Sequence, residues 1–187
     1  MSEFRFKGAG IEASAKIAQA EATAVLAAAS AAKYESAATS EIKIREARAA
    51  AHIVNEYVTP TAIQRASKSR ALWVDDHPSN NILERQSLET LGMNFVTSKS
   101  TEDALAQLEI DKYDLIISDM GRPPDDHAGY TLLDQLRKIG DKTPLIIYSG
   151  SRAPKHRAEA KKRGAIDCTN KPDELFGLVI KTLDKTA

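Results

Sequence analysis

Hydrophobic and polar positions follow two different rules along this chain. Residues 11–59 contain no Gly and no Pro, and alanine supplies about a third of them. Alanine favours helix because it loses no side-chain entropy there. Ile11, Ala15, Ala18, Ala22, Val25, Ala29 and Ala32 recur at alternating spacings of four and three, a narrow apolar seam of coiled-coil type. Glu12/Lys16 and Glu41/Arg45 sit four apart with the acid first, the favourable order. The pattern predicts one long helix of about 45 residues, about 70 Å if unbroken, or a helical hairpin. Ser36 to Ser40 is the expected kink, because such residues compete for backbone hydrogen bonds. So thin a stripe buries little alone, so the helix should pack on a second copy or fold back on the rest of the chain.

The second rule starts at Ala71. Apolar runs at 71–75, 94–98, 114–118, 144–149 and 165–168 alternate with helical stretches near 79–91, 101–110, 129–139, 154–163 and 172–184. Five strands alternating with five helices predict an α/β fold, a doubly wound parallel sheet. Gly92, Gly140 and Gly164 fall at expected helix ends, where a left-handed residue is needed. The expected division is an Ala-rich helical extension at 1–58, a polar linker at 59–70 and an α/β domain at 71–187.

Composition narrows the partners. The 26 basic and 26 acidic residues cancel, and there is no dense basic stripe, so nucleic acid is not expected. The single Cys168 allows no internal disulfide and fits a reducing compartment. No run approaches the roughly 18–20 apolar residues of a membrane span, and a cytoplasmic protein is expected.

The expected strands end in chemistry. Asp75 and Asp76 follow Val74, Asp119 follows Ser118, Ser149 follows Tyr148, and Lys171 follows Asn170. Parallel strands end at a common edge, where open α/β sheets place their sites. Carboxylates, a hydroxyl and an ammonium at one edge suit a hard divalent cation and a phosphoryl group.

These residues, in this order, resemble the receiver domain of bacterial two-component response regulators, from about Ala71 to Leu183. Asp75-Asp76 looks like the family's acidic pair, and Asp119, with Pro123 four residues on, like its phospho-accepting aspartate. Ser149-Gly150 resembles the hydroxyl and small residue after the fourth strand, and Lys171-Pro172 the lysine and its proline. The resemblance implies Mg²⁺ bound by Asp76, Asp119 and the Gly121 carbonyl, with Asp75 acting through water. It implies Lys171 paired with Asp119 before transfer and Ser149 donating to the phosphoryl group after it. The implied partner is a histidine kinase or phosphotransfer protein, with a possible homodimer through residues 11–57. Haloacid-dehalogenase-like phosphatases share the Asp, Ser/Thr and Lys equipment. In them a second Asp stands two residues after the nucleophile; here that position is Gly121. An enzyme is therefore not expected.

Three departures from the family matter. Cys168 stands where a switch Tyr or Phe is usual. Tyr148 is a partial substitute, although strand alternation puts it opposite Ser149. The loop Gly121 to Ala128 is longer than usual and could form a lid, with His127 exposed on it. Pro154 to Arg163 has no large apolar residue and should pack weakly. The expected alternative to phospho-signalling is an adaptor that uses the receiver fold as a binding surface. An output domain after the fifth helix is not expected, and the N-terminal helix, protein contacts or a partner in trans should carry the output.

Overall fold

The structure is a computed structural model that describes residues 2–32, 40–150 and 153–185. The N-terminal region forms two helices rather than one, α1 (Ser2–Ala32) and α2 (Ser40–Tyr57), packed on each other as a hairpin. Most of the kink expected at Ser36 to Ser40 lies outside the described residues. Pro60–Ala66, within the segment read as a linker, is helix α3, with Thr59 capping its first turn and Ala62 and Ala66 buried. Among the described residues no helix is long and apolar enough to cross a membrane.

The alternating region forms the expected sheet. Its strands are β1 (Arg70–Val74), β2 (Asn94–Ser98), β3 (Leu115–Ser118), β4 (Leu145–Tyr148) and β5 (Asp167–Thr169), all parallel, in the order β2-β1-β3-β4-β5. The helices between and after them are α4 (Ile82–Glu89, led by a 3-10 turn at Pro78–Asn81), α5 (Thr101–Ile110), α6 (Ala128–Lys138), α7 (Pro154–Lys162) and α8 (Pro172–Lys185). Gly92, Gly140 and Gly164 all take positive φ, as the helix ends require.

Two apolar layers cover the two faces of the sheet. On one, Leu72, Val74, Ile116 and Ile147 meet Leu132, Leu133 and Leu136 of α6 and Ala160 of α7. On the other, Trp73, Ile117 and Ile146 meet Leu88 of α4 and Phe176, Val179 and Ile180 of α8. The N-terminal hairpin extends this second layer, as Ala22 and Leu26 of α1, Ala50 and Val54 of α2, and Val58 join the same cluster.

The fold-back option is therefore the one realised. Ala15, Ala22 and Ala29 of the seam are buried within the chain's own hairpin and core, while Ile11, at the seam's start, is exposed. Their small size lets α1 approach closely. At the other contact Gly177 of α8 faces the Tyr57 ring, at a distance where a Cβ would make ordinary van der Waals contact (3.5 Å). Gln19 donates to the Val58 carbonyl (2.5 Å), and the Lys181 ammonium sits 4.3 Å from the Tyr57 ring centre.

Helix α7 packs through Ala160 and is otherwise held by charge. Arg157 Nε lies 2.6 Å and Lys161 Nζ 3.1 Å from the carboxylate of Asp167 on β5. That explains how a segment without large apolar residues stays on the sheet.

Candidate functional site

Strand pairing sets the site. The Asp75 N–H donates to the Ser98 carbonyl (2.9 Å), the Asp119 N–H to the Val74 carbonyl (2.9 Å), and the Ser149 N–H to the Thr169 carbonyl (3.0 Å). Each residue just beyond a strand end is thus fixed by the neighbouring strand, and their side chains reach one edge.

Asp75 is buried, and each of its carboxylate oxygens accepts a hydrogen bond. One oxygen accepts from the His77 N–H (2.7 Å), the other from Asn81 Nδ2 (2.5 Å), which ties the 3-10 turn to the end of β1. Asp76 is more open, and His77 Nδ1 lies 2.9 Å from it. Asp119 is half-buried. Burial pushes its carboxyl above the usual range and the charges of Asp75 and Asp76 add to this, while the Met120 N–H and Arg122 oppose it. An acid raised by desolvation and by like charges, at an open cleft, marks a functional site.

Asp75, Asp76, Asp119, Ser149 and Gly150 line a cleft of about 380 Å³, and Asp119, Ser149, His127, Tyr130 and His156 line a second of about 420 Å³ beside it. Gly121 borders both. A Cβ on Gly150 would meet nothing within 4 Å, so the mouth is open there. Among the described residues no three His, Cys, Asp or Glu side chains converge into a closed metal cage. Carboxylates at so open a cleft could at most hold a hydrated hard cation, of the kind that takes one or two carboxylates and keeps several waters.

Lys171 does not join this group. Its ammonium lies 3.2 Å from Glu174, a residue that also accepts from the Thr169 hydroxyl (2.8 Å). The expected pairing with Asp119 is thus replaced by a pairing within the first turn of α8. Glu174, in the first turn of the helix that Lys171 leads into, is local to the lysine, whereas Asp119 follows β3, with β4 between it and β5.

Cys168 is buried, with its sulfur 3.8 Å from the Ser149 hydroxyl, and burial raises its thiol pKa. Tyr148 points to the opposite face, as alternation predicts. Its hydroxyl donates to the buried Glu84 of α4 (2.8 Å) and its ring stands edge-on to Trp73.

The loop after Asp119 is a hydrogen-bonded turn. Arg122 and Asp125 exchange backbone hydrogen bonds (2.9 and 2.8 Å), and Asp125 accepts from the Thr131 hydroxyl (2.6 Å) and the His127 N–H (2.8 Å). The exposed His127 ring stacks on Tyr130.

Two residues here escape sequence reasoning. Arg122 is only 3% exposed, and nothing in a Gly-Arg-Pro-Pro run signals a buried cation. Gly129 brings the start of α6 against the end of β3, because a Cβ there would lie 2.8 Å from the Asp119 carbonyl oxygen. A glycine at the first position of an expected helix was the available signal.

Comparison with known proteins agrees with this geometry. The family model described as "Response regulator receiver domain" matches residues 71–180. The chain is 30% identical over 114 residues to the sensor histidine kinase RcsC of Escherichia coli, and 30% identical over 112 residues to the transcriptional activator protein IrlR of Burkholderia pseudomallei. The matches take in 61% and 60% of this chain but only 12% and 48% of those proteins. Among solved structures, the receiver domain of a putative LuxO repressor protein from Vibrio parahaemolyticus is 26% identical with a TM-score of 0.57, covering 63% of this chain and 92% of that one. The response regulator TrrA from Thermotoga maritima, solved in complex with Mg²⁺ and BeF, is 26% identical with a TM-score of 0.52, covering 61% of this chain and 98% of that one. The family match takes in more than half of the chain, and the sheet order and strand-end acids agree with it: this chain belongs to the response-regulator receiver domain family.

Proposed function

We propose that residues 71–187 form a signalling receiver that takes a phosphoryl group onto Asp119 from a phosphohistidine of a histidine kinase or phosphotransfer protein in the cytoplasm, and that residues 1–58 carry the result outward. The observation that carries this reading is Asp119 itself, half-buried at an open cleft in the field of two further carboxylates. Asp76, Asp119 and the Gly121 carbonyl would hold a Mg²⁺ ion there, with Asp75 acting through water; bound, the ion would supply the charge neutralisation an incoming phosphoryl group needs.

The chain's own residues do the rest. An Asp119 carboxylate oxygen attacks phosphorus, the bond from phosphorus to the donor imidazole breaks, and the imidazole keeps the electron pair. The open position at Gly150 admits the donor. Ser149 donates its hydroxyl to the phosphoryl oxygens after transfer. Lys171 leaves Glu174 for the same oxygens, a change of rotamer that its long side chain permits. Positioning and charge dominate such transfers.

The route outward is supported on the hairpin side. Tyr148 directly precedes Ser149 and borders the acidic cleft, and its hydroxyl holds Glu84 of α4, the helix against which α1 packs. Cys168 offers no comparable aromatic on the β5 side. An association of two copies through residues 11–57 would use the outer surface, with exposed Ile17 and Ile44, because the inner seam is occupied. Sedimentation as a monomer at micromolar concentration rules that association out.

The decisive experiment is intact-mass spectrometry after incubation with Mg²⁺ and acetyl phosphate. The expected result is a gain of one phosphoryl group, absent in Asp119→Asn. No gain in the unaltered protein overturns the reading. The adaptor alternative draws on Cys168 and on the Lys171–Glu174 pair. It requires partner binding unchanged by beryllofluoride and by Asp119→Asn.

A further inference from the structure

Arg122 has no part in the chemistry above, yet it lies directly behind it. Its guanidinium donates through Nη1 to the Ser118 hydroxyl (2.8 Å) and the Asp119 carbonyl (2.7 Å), and through Nη2 to the Thr101 hydroxyl (3.0 Å) and the Ala128 carbonyl (3.0 Å). One side chain therefore joins the end of β3, the start of α5 and the start of α6. Every one of these four acceptors is neutral. The remaining donor, Nε, is buried with no acceptor among the described residues.

A guanidinium does not give up its proton in a protein, so this is a permanent buried charge. Such a charge needs a compensating one. Among the described residues no carboxylate bonds to it directly. The carboxylates whose charge it feels are Asp119, Asp75 and Asp76, followed by Asp125 on its own loop. Three of these four are the acids of the cleft. Arg122 and the cleft thus balance each other across the backbone of the acceptor strand.

We propose that Arg122 is a fixed internal counter-ion of the acidic cleft, a positioning residue that weakens and thereby tunes the hold of Asp75, Asp76 and Asp119 on a divalent cation. The inference rests on the reading of those three acids as a Mg²⁺ site. Its physical content is a sign. If Arg122 acts by charge, removing that charge deepens the negative potential and tightens cation binding. If it were only a brace for the loop, removing it would displace the Gly121 carbonyl and loosen binding.

Calorimetric titration of the full chain with MgCl₂ at low ionic strength separates the two. Arg122→Gln is expected to bind Mg²⁺ about three- to tenfold more tightly than the unaltered protein, as two nearby positive charges no longer oppose each other. Arg122→Lys keeps the charge and loses the fork, and is expected to bind within about twofold of the unaltered protein. Equal or weaker binding by Arg122→Gln overturns the proposal. If that variant does not fold, the Arg122 Nε–H signal of the unaltered protein, followed by ¹⁵N NMR, decides. It is expected to shift with the same midpoint as metal binding, and a signal that stays still overturns the proposal. Failure of the unaltered protein to bind Mg²⁺ overturns both this inference and the function on which it rests, whereas Mg²⁺ binding with a still Arg122 signal removes this inference alone.

Discussion

The two faces of the sheet are covered in opposite ways. On the α4/α8 face the cover is double: two helices on the strands, then the Ala-rich hairpin over the helices, all in one apolar cluster. On the α5/α6/α7 face it is single, and its last helix contributes one buried alanine and is held by ion pairs to Asp167. The first face gains its stability from area removed from water, the second partly from charge. The first should therefore respond to cavities and little to pH, whereas the second should respond to cavities beneath α6 and to pH where α7 meets Asp167.

The largest expected effect breaks the comparison on the apolar side. Leu26 is fully buried where α1 meets the rest of the cluster. Leu26→Ala should cost about 2–5 kcal/mol and lower the thermal midpoint by roughly 5–15 °C. A loss under about 1 kcal/mol would show that the hairpin is not part of the core.

Next comes the charged side. The Asp167 carboxyl is pushed up by burial, but hydrogen bonds from Arg157, the Cys168 N–H and Lys161 more than offset this and hold it below the usual range. A depressed carboxyl contributes stability above its unfolded pKa and loses it as pH falls through the folded one. Arg157→Ala should therefore cost about 1–2 kcal/mol near neutrality, and the gap to the unaltered protein should close below about pH 4. A gap independent of pH, read by urea denaturation across that range, would place the effect in packing instead.

A smaller effect tests the link between the site and the double cover. Tyr148→Phe removes one donor from the buried Glu84 and should cost about 1 kcal/mol. Hydrogen exchange should speed in α4 and the facing part of α1 and stay unchanged in α7. Equal loosening on both faces would break the assignment of Tyr148 to the hairpin side. The smallest effect belongs to Arg65, whose 2.6 Å pair with Asp184 is more than a third exposed on both sides. Arg65→Ala should change stability by less than about 0.5 kcal/mol.

The sheet and its edge were legible because each strand run ends in a polar residue of distinct chemistry, and parallel strands leave no choice about where those ends meet. The hairpin's docking was not. An alanine seam with three–four spacing serves a second helix of the same chain as well as a helix from another copy, and the deciding partners, such as the Val58 carbonyl that Gln19 reaches, lie elsewhere in the sequence. Arg122 was hidden for a similar reason. Its acceptors come from positions 101, 118, 119 and 128, and each of them alone reads as an ordinary helix start or strand end. Lys171 was placed by family resemblance, but its local acid Glu174 holds it in this state. A flexible side chain's partner is set by rotamer energies that spacing does not contain.

Trp73 gives the chain a property of its own. It is the only tryptophan, buried in β1 between the rings of Phe95 and Tyr148, with the Arg85 guanidinium 5.6 Å from its centre. Its emission therefore comes from a single dry place, two residues from the acidic pair and one ring away from the Tyr148 hydroxyl that holds α4. The ultraviolet fluorescence of the unlabelled protein is in effect a one-pixel camera, aimed from behind the cleft at the face where the hairpin sits.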